Sequence, residues 1–358
     1  MRVLIDIGHP AHVHYFKNLA VCLLNDGSDV LFTAREKEVA IQLLDYYGFK
    51  YANFGKPFKS RLGKLWGLIW FTWKTYLISL RFKPDIYLNA TMYSAIIAWL
   101  MRKPHIALED TFNMEQVRLY LPFTSAVITG NYDHPDLGSK QIRISGYQEL
   151  LYLHPFCFRP DPKIKSFLGI NDDDKYVVFR FVAWGASHDY GHTGISNKNK
   201  LQAVEVFSKY AKIFISSEGE LPGELEKFRL KIPPYRMHDV LASATFIFSE
   251  SATMVSEAAV LGVPGIYVDS TGRFYTKDQE KYGMVFNFAE TEDEQEKAIQ
   301  KGKMLLKIED TKKVFAESYR LMMAAKIDMT AFLFWFIKEY PHSKNVIKEN
   351  PDYQFNFI

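Results

Sequence analysis

The stretch FIFSESATMVSEAAVLGVPGIYVD, residues 246–269, contains the signals of a strand, a polar turn, a helix and a second strand. The apolar run 246–248 is typical of a buried parallel strand, and small and apolar residues recur at helical spacing over 253–261. Gly262 and Pro264 end the helix, because glycine favours the helix C-terminus and proline cannot continue it. The stretch therefore predicts a β-α-β unit of a parallel sheet.

The first turn of the predicted helix is a candidate anion site. Ser251, Ala252 and Thr253 would offer backbone N–H groups and the positive end of the helix dipole, and their small side chains would let a phosphate approach closely. Glu257 lies about one turn further along and could accept hydrogen bonds from a ribose. Ser251 could equally be an ordinary helix cap without a ligand, so both interpretations stay open.

Length, composition and charge limit the class of protein. A chain of 358 residues with 48% hydrophobic residues can bury a large core, and its length favours two domains over one. The 44 Lys and Arg against 41 Asp and Glu give a formal charge of +3, and no strong basic excess indicates a nucleic-acid partner. The start, MRVLIDIG, enters a strand pattern directly, which indicates no secretion signal and a cytoplasmic protein. Cys22 and Cys157 lie in apolar surroundings and are expected to be buried free thiols.

Strand and helix signals alternate along both halves of the chain. Such alternation requires crossover helices and predicts an α/β fold with two doubly wound, Rossmann-like parallel sheets. The predicted boundaries are 1–150 for an acceptor-side domain, 151–175 for a linker, 176–328 for a nucleotide-sugar-binding domain, and 329–358 for a C-terminal helix and tail that cross back to the first domain. Ligands of such sheets collect at the carboxyl ends of the strands, so a cleft between the two domains is expected.

One segment, KPFKSRLGKLWGLIWFTWKTYLISLRFK at 56–83, mixes basic residues with tryptophans. Its uninterrupted apolar run, 65–73, is too short to span a bilayer. An aromatic face recurs at three- and four-residue spacing and comprises Trp66, Trp70, Trp73 and Leu77. This pattern fits a helix in a membrane interface, which would bring the protein to the inner face of the membrane, and it equally fits a helix packed on the sheet with lysines at its rim.

Histidines follow the first predicted strand in the sequence GHPAHVH, residues 8–14. Pro10 is suited to open a helix, which would place His9 and His12 at the helix mouth. An imidazole there can act as a general base near neutral pH. His14 falls on another side of the helix, so the three histidines do not form an obvious metal site. Caps or core histidines are the alternative.

Two adjacent carboxylates, Glu109 and Asp110, follow the fifth predicted strand. At a strand end they could position a hydroxyl group or act as acid and base. Asp110 followed by a threonine could also simply cap the next helix.

The sequence RFVAWGASHDYGH at 180–192 follows the first strand of the second half. Arg180 could give a charge-assisted bond to a phosphate, and Ser187 belongs to a small-residue turn suited to phosphate contact. His188 and His192 are four residues apart, but the intervening glycine makes a helix with a zinc pair improbable. A mobile loop over the ligand is the other interpretation.

Three motifs together resemble domain-of-unknown-function family 354, which is grouped with GT-B-fold proteins near the UDP-N-acetylglucosamine 2-epimerases and the MurG-type glycosyltransferases. They are DIGHPAHVHYF at 6–16, RFVAWGASHD at 180–189 and SESATMVSEAAVLGVP at 249–264. The resemblance runs over nearly the whole chain. It implies a fold and a nucleotide-sugar ligand rather than one reaction.

The resemblance assigns roles to residues of the second domain. In GT-B enzymes this domain holds the nucleotide diphosphate, with the pyrophosphate at a Gly/Ser-rich turn and the ribose on a glutamate of the next helix. The matching positions are Ser251, Ala252, Thr253 and Glu257. The turn formed by Arg236, Met237 and His238 would meet a uracil through its backbone. Glu250 departs from the pattern, because related enzymes often have glycine there and an ionised carboxylate would repel a pyrophosphate unless it points away or binds a cation.

In the first domain, the resemblance places 8–12 where the MurG-type glycine-rich loop ends in a histidine, and 109–113 where an H-E-Q-N-type loop faces the acceptor. Together these matches imply a glycosyltransferase of surface polysaccharide or glycoconjugate synthesis, with a nucleotide-activated, UDP-linked sugar as substrate and no metal or other cofactor. A nucleotide-sugar 2-epimerase and a non-catalytic nucleotide-sugar-binding protein are the alternatives.

Overall fold

The computed structural model describes residues 1–36, 39–56, 58, 60–182 and 193–358, apart from the side chains at 61, 62, 64 and 65. These residues form two units. The first unit contains Met1–Cys157 and Lys326–Ile358, and the second contains Phe158–Ala325. Residues 151–157, at the start of the predicted linker, therefore belong to the first unit, and the rest of that stretch belongs to the second.

The N-terminal part of the first unit alternates strands and helices. In chain order its elements are β1 (Arg2–Ile7), α1 (Pro10–Asn25), β2 (Asp29–Ala34), α2 (Ala40–Tyr46), β3 (Tyr51–Asn53), α3 (Arg61–Phe82), β4 (Ile86–Leu88), α4 (Met92–Leu100), β5 (His105–Leu108), α5 (Met114–Tyr120), β6 (Ala126–Gly130), β7 (Gln141–Ile144) and α6 (Leu150–Leu153).

The strands of the first unit pair in parallel in the order β3-β2-β1-β4-β5-β6-β7. β1 lies inside this sheet, and its residues Val3, Leu4 and Ile5 are fully buried, as a strand covered on both faces requires. The chain runs outward from β1 to β3 and then crosses back through α3 to β4 on the other side of β1. The loops after β1 and β4 thus meet at a topological switch point, where doubly wound sheets bind their ligands.

The second unit repeats this alternation. Its elements are α7 (Ile164–Phe167), β8 (Tyr176–Phe181), α8 (Asn197–Ser208), β9 (Lys212–Ser217), α9 (Met237–Ala242), β10 (Phe246–Ser249), α10 (Ala252–Val260), β11 (Gly265–Val268), α11 (Phe274–Lys281), β12 (Val285–Phe288), α12 (Glu292–Leu306) and α13 (Thr311–Ala324).

The strands of the second unit form a parallel sheet in the order β12-β11-β10-β8-β9. Its core is rich in phenylalanine, and Phe179, Phe207 and Phe248 contact one another with ring centroids 5.3–5.7 Å apart. The switch point of this sheet lies between β8 and β10. The β-α-β unit predicted from 246–269 is present there as β10, α10 and β11.

The C-terminal segment belongs to the first unit and forms α14 (Met329–Lys338) and α15 (His342–Glu349). α14 begins at the cap Asp328, whose carboxylate accepts hydrogen bonds from two N–H groups of the first turn. Thr330 donates to the carbonyl oxygen of Leu151 over 2.8 Å, and the N–H of Ser145 donates to Gln354 over 2.6 Å. Hydrogen bonds near the start and near the end of this segment thus attach it to the first unit.

Three observations differ from the sequence-based expectations or extend them. Both cysteines are free and exposed, so the expectation of buried thiols is wrong: the apolar neighbours of Cys22 and Cys157 in sequence do not cover them. β7 and α15 were not predicted. Among the described residues, no helix combines the length and the apolar character needed to cross a bilayer.

Candidate functional site

The turn between β10 and α10 has the geometry of a helix N-terminus with a serine cap. Ser251 has extended backbone geometry, and its hydroxyl oxygen accepts from the N–H of Met254 over 3.5 Å. Ser249 fixes the turn, because its hydroxyl oxygen accepts from the N–H of Ser251 over 2.7 Å. The N–H groups of Ala252 and Thr253 fall in the first turn, where an α-helix supplies no acceptor. This arrangement is suited to an anion.

Glu250 is bonded to segments of the second unit other than this helix end. Its carboxylate is buried and accepts from the N–H of Val182 over 2.8 Å and from the N–H of Ile195 over 2.6 Å. The ammonium of Lys200 lies 3.4 Å from one of its oxygens. Burial raises the pKa of Glu250, whereas Lys200 and the two N–H groups favour the ionised form. The carboxylate therefore links the end of β8 to the segment before α8, and Lys200 and the two N–H groups offset its charge.

Glu257 lies in α10 and is paired with a histidine of α9. Its Oε1 is 3.0 Å from Nε2 of His238, and both side chains are buried. The short distance requires a hydrogen between the two atoms, so Nε2 of His238 is the donor to the carboxylate. Met237 is half-buried and is the first residue of α9, directly before His238 in the sequence. Glu257 is thus oriented by a fixed neighbour rather than left as an isolated buried charge.

Arg180 lies at the end of β8 next to Ser249 of β10. Its guanidinium donates to the hydroxyl oxygen of Ser216 over 2.8 Å and forms a close ion pair with Glu218. The positive charge expected to meet a phosphate is therefore already offset within the second unit. Three predicted residues lie outside the described part of the chain: Ser187, His188 and His192.

In the first unit, His12 is fixed by donors at one ring nitrogen. The N–H of Gly8 donates to Nδ1 over 3.2 Å, and the side-chain amide nitrogen of Asn89 is 2.7 Å from the same atom. Because Nδ1 accepts, Nε2 carries the hydrogen of the neutral ring. His9 caps α1, and its Nδ1 accepts from the N–H of Ala11 over 3.3 Å, so the same tautomer follows. Both rings therefore present Nε2–H, a hydrogen-bond donor.

Asn89 follows β4 and has a positive φ of 94°, which asparagine tolerates better than most residues. Its amide oxygen accepts from the N–H of Ala90 over 2.8 Å, so its amide nitrogen is the group that faces His12 and the carbonyl oxygen of Asp6. The Asp6 carboxylate is buried and accepts from Thr33. Burial raises the pKa of Asp6, while Thr33 and then the charge of Arg35 oppose that rise. Strand ends β1, β2 and β4 thus contribute to one buried polar cluster.

Glu109 accepts hydrogen bonds from two N–H groups of its own loop and from Tyr120 of α5. Its Oε1 accepts from the N–H groups of Thr111 and Phe112 over 3.0 and 2.7 Å, and its Oε2 accepts from the hydroxyl of Tyr120 over 2.6 Å. Burial raises the pKa of Glu109 to about 7, against the lowering effect of the Tyr120 hydroxyl; the charge of Asp110 raises the pKa further. Glu109 thus shapes the loop after β5, including the left-handed backbone at Phe112.

Asp110 is less buried than Glu109, and its oxygens contact hydroxyl groups. Oδ2 accepts from Tyr15 over 3.3 Å and Oδ1 accepts from Thr111 over 2.9 Å. The ring of Tyr15 lies 5.6 Å from that of His12 between centroids. The structure therefore brings Asp110 and His12 together around Tyr15, on the carboxyl side of β1 and β5.

Sequence reasoning did not identify the partners that orient these side chains. Asn89 had one available signal, a polar residue directly after a buried strand, at a position where ligand-site residues collect. His238 was considered only for its backbone. Glu218 carries no signal, because a lone glutamate after a strand is usually a solvated charge.

Two Rossmann-like units with parallel sheets, each with polar groups at its switch point, define the class of fold. It is the fold of GT-B glycosyltransferases and UDP-N-acetylglucosamine 2-epimerases, as two solved structures show. The 2-epimerase from Neisseria meningitidis bound to UDP-GlcNAc has a TM-score of 0.69 and 17% identity, covering 95% of this chain and 100% of that one. The spinosyn rhamnosyltransferase SpnG complexed with spinosyn aglycone has a TM-score of 0.56 and 13% identity, covering 93% and 99%.

The chain belongs to the family described as "Protein of unknown function (DUF354)", whose model matches residues 1–289. The resemblance drawn from the three sequence motifs is thereby confirmed. A curated relative is the uncharacterized protein MJ0665 of Methanocaldococcus jannaschii, which is 26% identical over 285 residues, or 74% of this chain and 81% of that protein.

Proposed function

We propose that the chain binds a nucleotide-activated sugar, UDP-linked, and transfers its glycosyl group to an acceptor. The observation that carries the proposal is the buried orientation of Glu250, which keeps its carboxylate on Val182 and Ile195 and leaves the N-terminal turn of α10 suited to a diphosphate. Glu257, oriented by His238, then takes the ribose hydroxyls. The fold shared with a 2-epimerase bound to UDP-GlcNAc supports this ligand.

The nucleotide side of the proposal lies within the second unit. The diphosphate lies against Ser251, Ala252 and Thr253, and the uracil contacts the backbone at Met237. The charge of Arg180 is offset by Glu218, so the dipole and N–H groups of α10 supply the stabilisation of the leaving diphosphate. The proposed reaction requires no metal or other cofactor, because these groups stabilise the charge that develops.

The acceptor side of the proposal lies within the first unit. Asp110 takes the proton of the acceptor hydroxyl, the acceptor oxygen bonds to the anomeric carbon, and the bond from that carbon to the diphosphate breaks. His12 and His9 act through Nε2–H as donors to substrate oxygens, because their Nδ1 atoms already accept hydrogen bonds. Glu109 holds the loop that carries Asp110.

We propose that this chemistry serves surface polysaccharide or glycoconjugate synthesis in the cytoplasm, at the inner face of the membrane. The support is the nucleotide-sugar ligand together with the exposed aromatic face of α3. Cell fractionation with tagged protein tests the location, and a chain found outside the cytoplasmic and membrane-associated fractions contradicts it.

Calorimetry with UDP and the variant Ser251→Asp tests the nucleotide site. Aspartate still caps the helix but adds a carboxylate where the diphosphate lies, so UDP affinity should fall by about tenfold or more. Thr291→Asp is the matched control, because Thr291 caps α12 of the same unit in the same way. Loss of affinity in both variants, unchanged affinity in Ser251→Asp, or no UDP binding by the wild type at millimolar concentration would contradict the proposal.

A nucleotide-sugar 2-epimerase is the second candidate, since the 2-epimerase has a higher TM-score than the rhamnosyltransferase, 0.69 against 0.56. Epimerisation needs a carboxylate beside the C2 proton, and Asp110 is the candidate for this role. Glu109 and Glu250 already accept hydrogen bonds from other groups. Incubation with UDP-N-acetylglucosamine in heavy water without an acceptor separates the two reactions. Deuterium at C2 means epimerisation, and transfer alone leaves C2 unlabelled. A non-catalytic nucleotide-sugar-binding protein is the remaining alternative, and its basis is repulsion between Glu250 and a diphosphate. The hydrogen bonds of Glu250 to Val182 and Ile195 and its ion pair with Lys200 weaken that argument.

A further inference from the structure

The outer face of α3 is apolar and exposed. Trp66, Ile69, Trp70 and Trp73 are between 40% and 61% exposed, and Leu77 and Leu80 continue the same face. Positions three and four apart lie on one side of a helix, so the face runs along about 21 Å of helix axis. The expectation that this aromatic face packs on the sheet is therefore wrong.

A different side of α3 makes the contacts with the first unit. Phe71 is buried against Phe54 and Tyr93, and Thr75 and Ser79 are fully buried with their hydroxyl groups bonded to carbonyl oxygens one turn back. Packing of the helix on the sheet thus does not require the exposed tryptophans. A contiguous apolar surface of this kind on a protein marks an interaction site.

The stretch of sequence that contains α3 carries charge of one sign. Between residues 46 and 84 the sequence has no Asp or Glu, whereas its basic residues are Lys50, Lys56, Lys59, Arg61, Lys64, Lys74, Arg81 and Lys83. The ammonium of Lys74 lies 5.2 Å from the ring of Trp70, at the edge of the aromatic face. Basic side chains that flank tryptophans at a surface are the pattern of a helix lying in an anionic bilayer interface.

α4 extends the surface. It packs beside α3, and its last turn exposes Trp99 (61%) and Leu100. Trp99 also lines a cavity of about 500 Å³ together with cationic and aromatic side chains: Arg102, Lys103, Lys140, Phe123 and Tyr340. Burial lowers the pKa of Lys140, and burial and then the charges of Lys348 and Lys140 lower the pKa of Lys344. Lys103 forms an ion pair with Asp85, and Lys140 donates to the carbonyl oxygens of Leu121 and Pro122.

A second copy of the chain fits this surface poorly. A two-fold dimer would bring this same basic surface of both copies into one interface, where like charges repel. An anionic bilayer has the opposite charge, and its interface accommodates tryptophan at the depth of the headgroups. Charge complementarity thus favours lipid over self-association.

We propose that the exposed face of α3, continued by Trp99 and Leu100 of α4, binds the surface of a bilayer that contains anionic phospholipid. The bilayer interface takes the tryptophan side chains, and lipid phosphates pair with the flanking lysines and arginines. The protein binds to the membrane surface and does not cross it. This proposal does not depend on nucleotide binding.

Co-sedimentation of the full chain with vesicles tests the proposal. The wild type should bind phosphatidylcholine vesicles containing about one third phosphatidylglycerol at least about tenfold more tightly than vesicles of phosphatidylcholine alone. The double variant Trp70→Glu/Trp73→Glu should lose this binding, and Lys74→Glu/Arg81→Glu should weaken it by about tenfold or more. Leu24→Glu is the matched control, because it adds a carboxylate at an exposed apolar position of α1, whose crossover lies on the opposite face of the sheet.

Circular dichroism and thermal unfolding establish whether each variant is folded. If the tryptophan variant unfolds, the charge variant Lys74→Glu/Arg81→Glu still tests the proposal. The proposal is overturned if the wild type ignores anionic vesicles, if both surface variants sediment as the wild type does, or if Leu24→Glu loses binding equally. It is also overturned if the wild type is a dimer that ignores vesicles and the tryptophan variant is a monomer. UDP calorimetry on the surface variants should be unchanged.

Discussion

His12 shows how a residue's chemistry depends on neighbours that are distant in sequence. The sequence places an imidazole after β1, but the tautomer follows from Asn89, which is 77 positions further along. Because Nδ1 accepts from Asn89 and from the N–H of Gly8, the ring presents a hydrogen at Nε2. A residue expected to be a base is thus arranged as a hydrogen-bond donor.

Asn89→Asp should reverse this tautomer. Aspartate has the same shape and also tolerates a positive φ, but its carboxylate can only accept, so the hydrogen of the neutral His12 ring should move to Nδ1. Nitrogen-15 NMR of the imidazole should show the Nε2–H form in the wild type and the Nδ1–H form or the imidazolium in the variant.

Asn356→Asp provides the control for the added charge, because Asn356 is exposed and its amide bonds only to the nearby carbonyl oxygen of Tyr353 among the contacts of the described residues. An Nδ1–H form already present in the wild type would show that the two donors to His12 do not persist in solution. Identical spectra of the wild type and Asn89→Asp would likewise show that the two donors to His12 do not persist in solution.

Glu250 and Glu257 show which part of the site was available from sequence. Both positions follow from the β-α-β pattern and from the family resemblance, and the structure places both on or beside α10. Their orientations do not follow, because Glu250 bonds to Val182 and Ile195, whose N–H groups become neighbours only when β8 pairs with β10. The position in sequence identifies the residue. The direction of its side chain depends on the pairing of β8 with β10, two strands that are not consecutive in the chain.

At the scale of elements, periodicity identified the long buried strands and helices and missed short or irregular ones. β1 and β8 are mostly apolar and almost entirely buried, as expected for strands covered on both faces. β7 has four residues and alternates buried with half-buried positions, so its signal is that of many loops. α15 begins after a proline with few apolar residues, and tertiary contacts rather than its own pattern define it.

α3 shows the limit of periodicity in another way. Its apolar residues occupy two sides, one with Phe71 against the core and one with Trp66, Trp70 and Trp73 in solvent. A spacing of three and four residues shows which side chains share one face of a helix. It does not show which face of the helix packs against the sheet. Which face of α3 packs on the sheet depends on the geometry of the crossover, because α3 carries the chain from the edge strand β3 over two strands to β4.

In the whole molecule, the two units differ in how many segments of the chain form them. The second unit is one continuous segment, Phe158–Ala325, whereas the first needs both ends of the chain. Gly146 is in close contact with the C-terminal segment: a Cβ there would come within 2.3 Å of the sulfur of Met329, so a larger residue would force that side chain to move. The last segment therefore completes the first unit rather than extending the second.

A chain ending at Ala325 should lose the folded first unit and keep the second. In α14, the side chains Met329, Phe332, Leu333, Phe336 and Ile337 are all at most 3% exposed. At about 1.5–3 kcal/mol for each buried side chain, their loss removes on the order of 10 kcal/mol, which matches the whole stability of a typical domain even after allowance for a compact unfolded state. Differential scanning calorimetry should show one transition lost and one retained. The segment Phe158–Ala325 expressed alone is the control and should reproduce the retained transition; a 1–325 chain with both transitions intact would contradict the role assigned to α14.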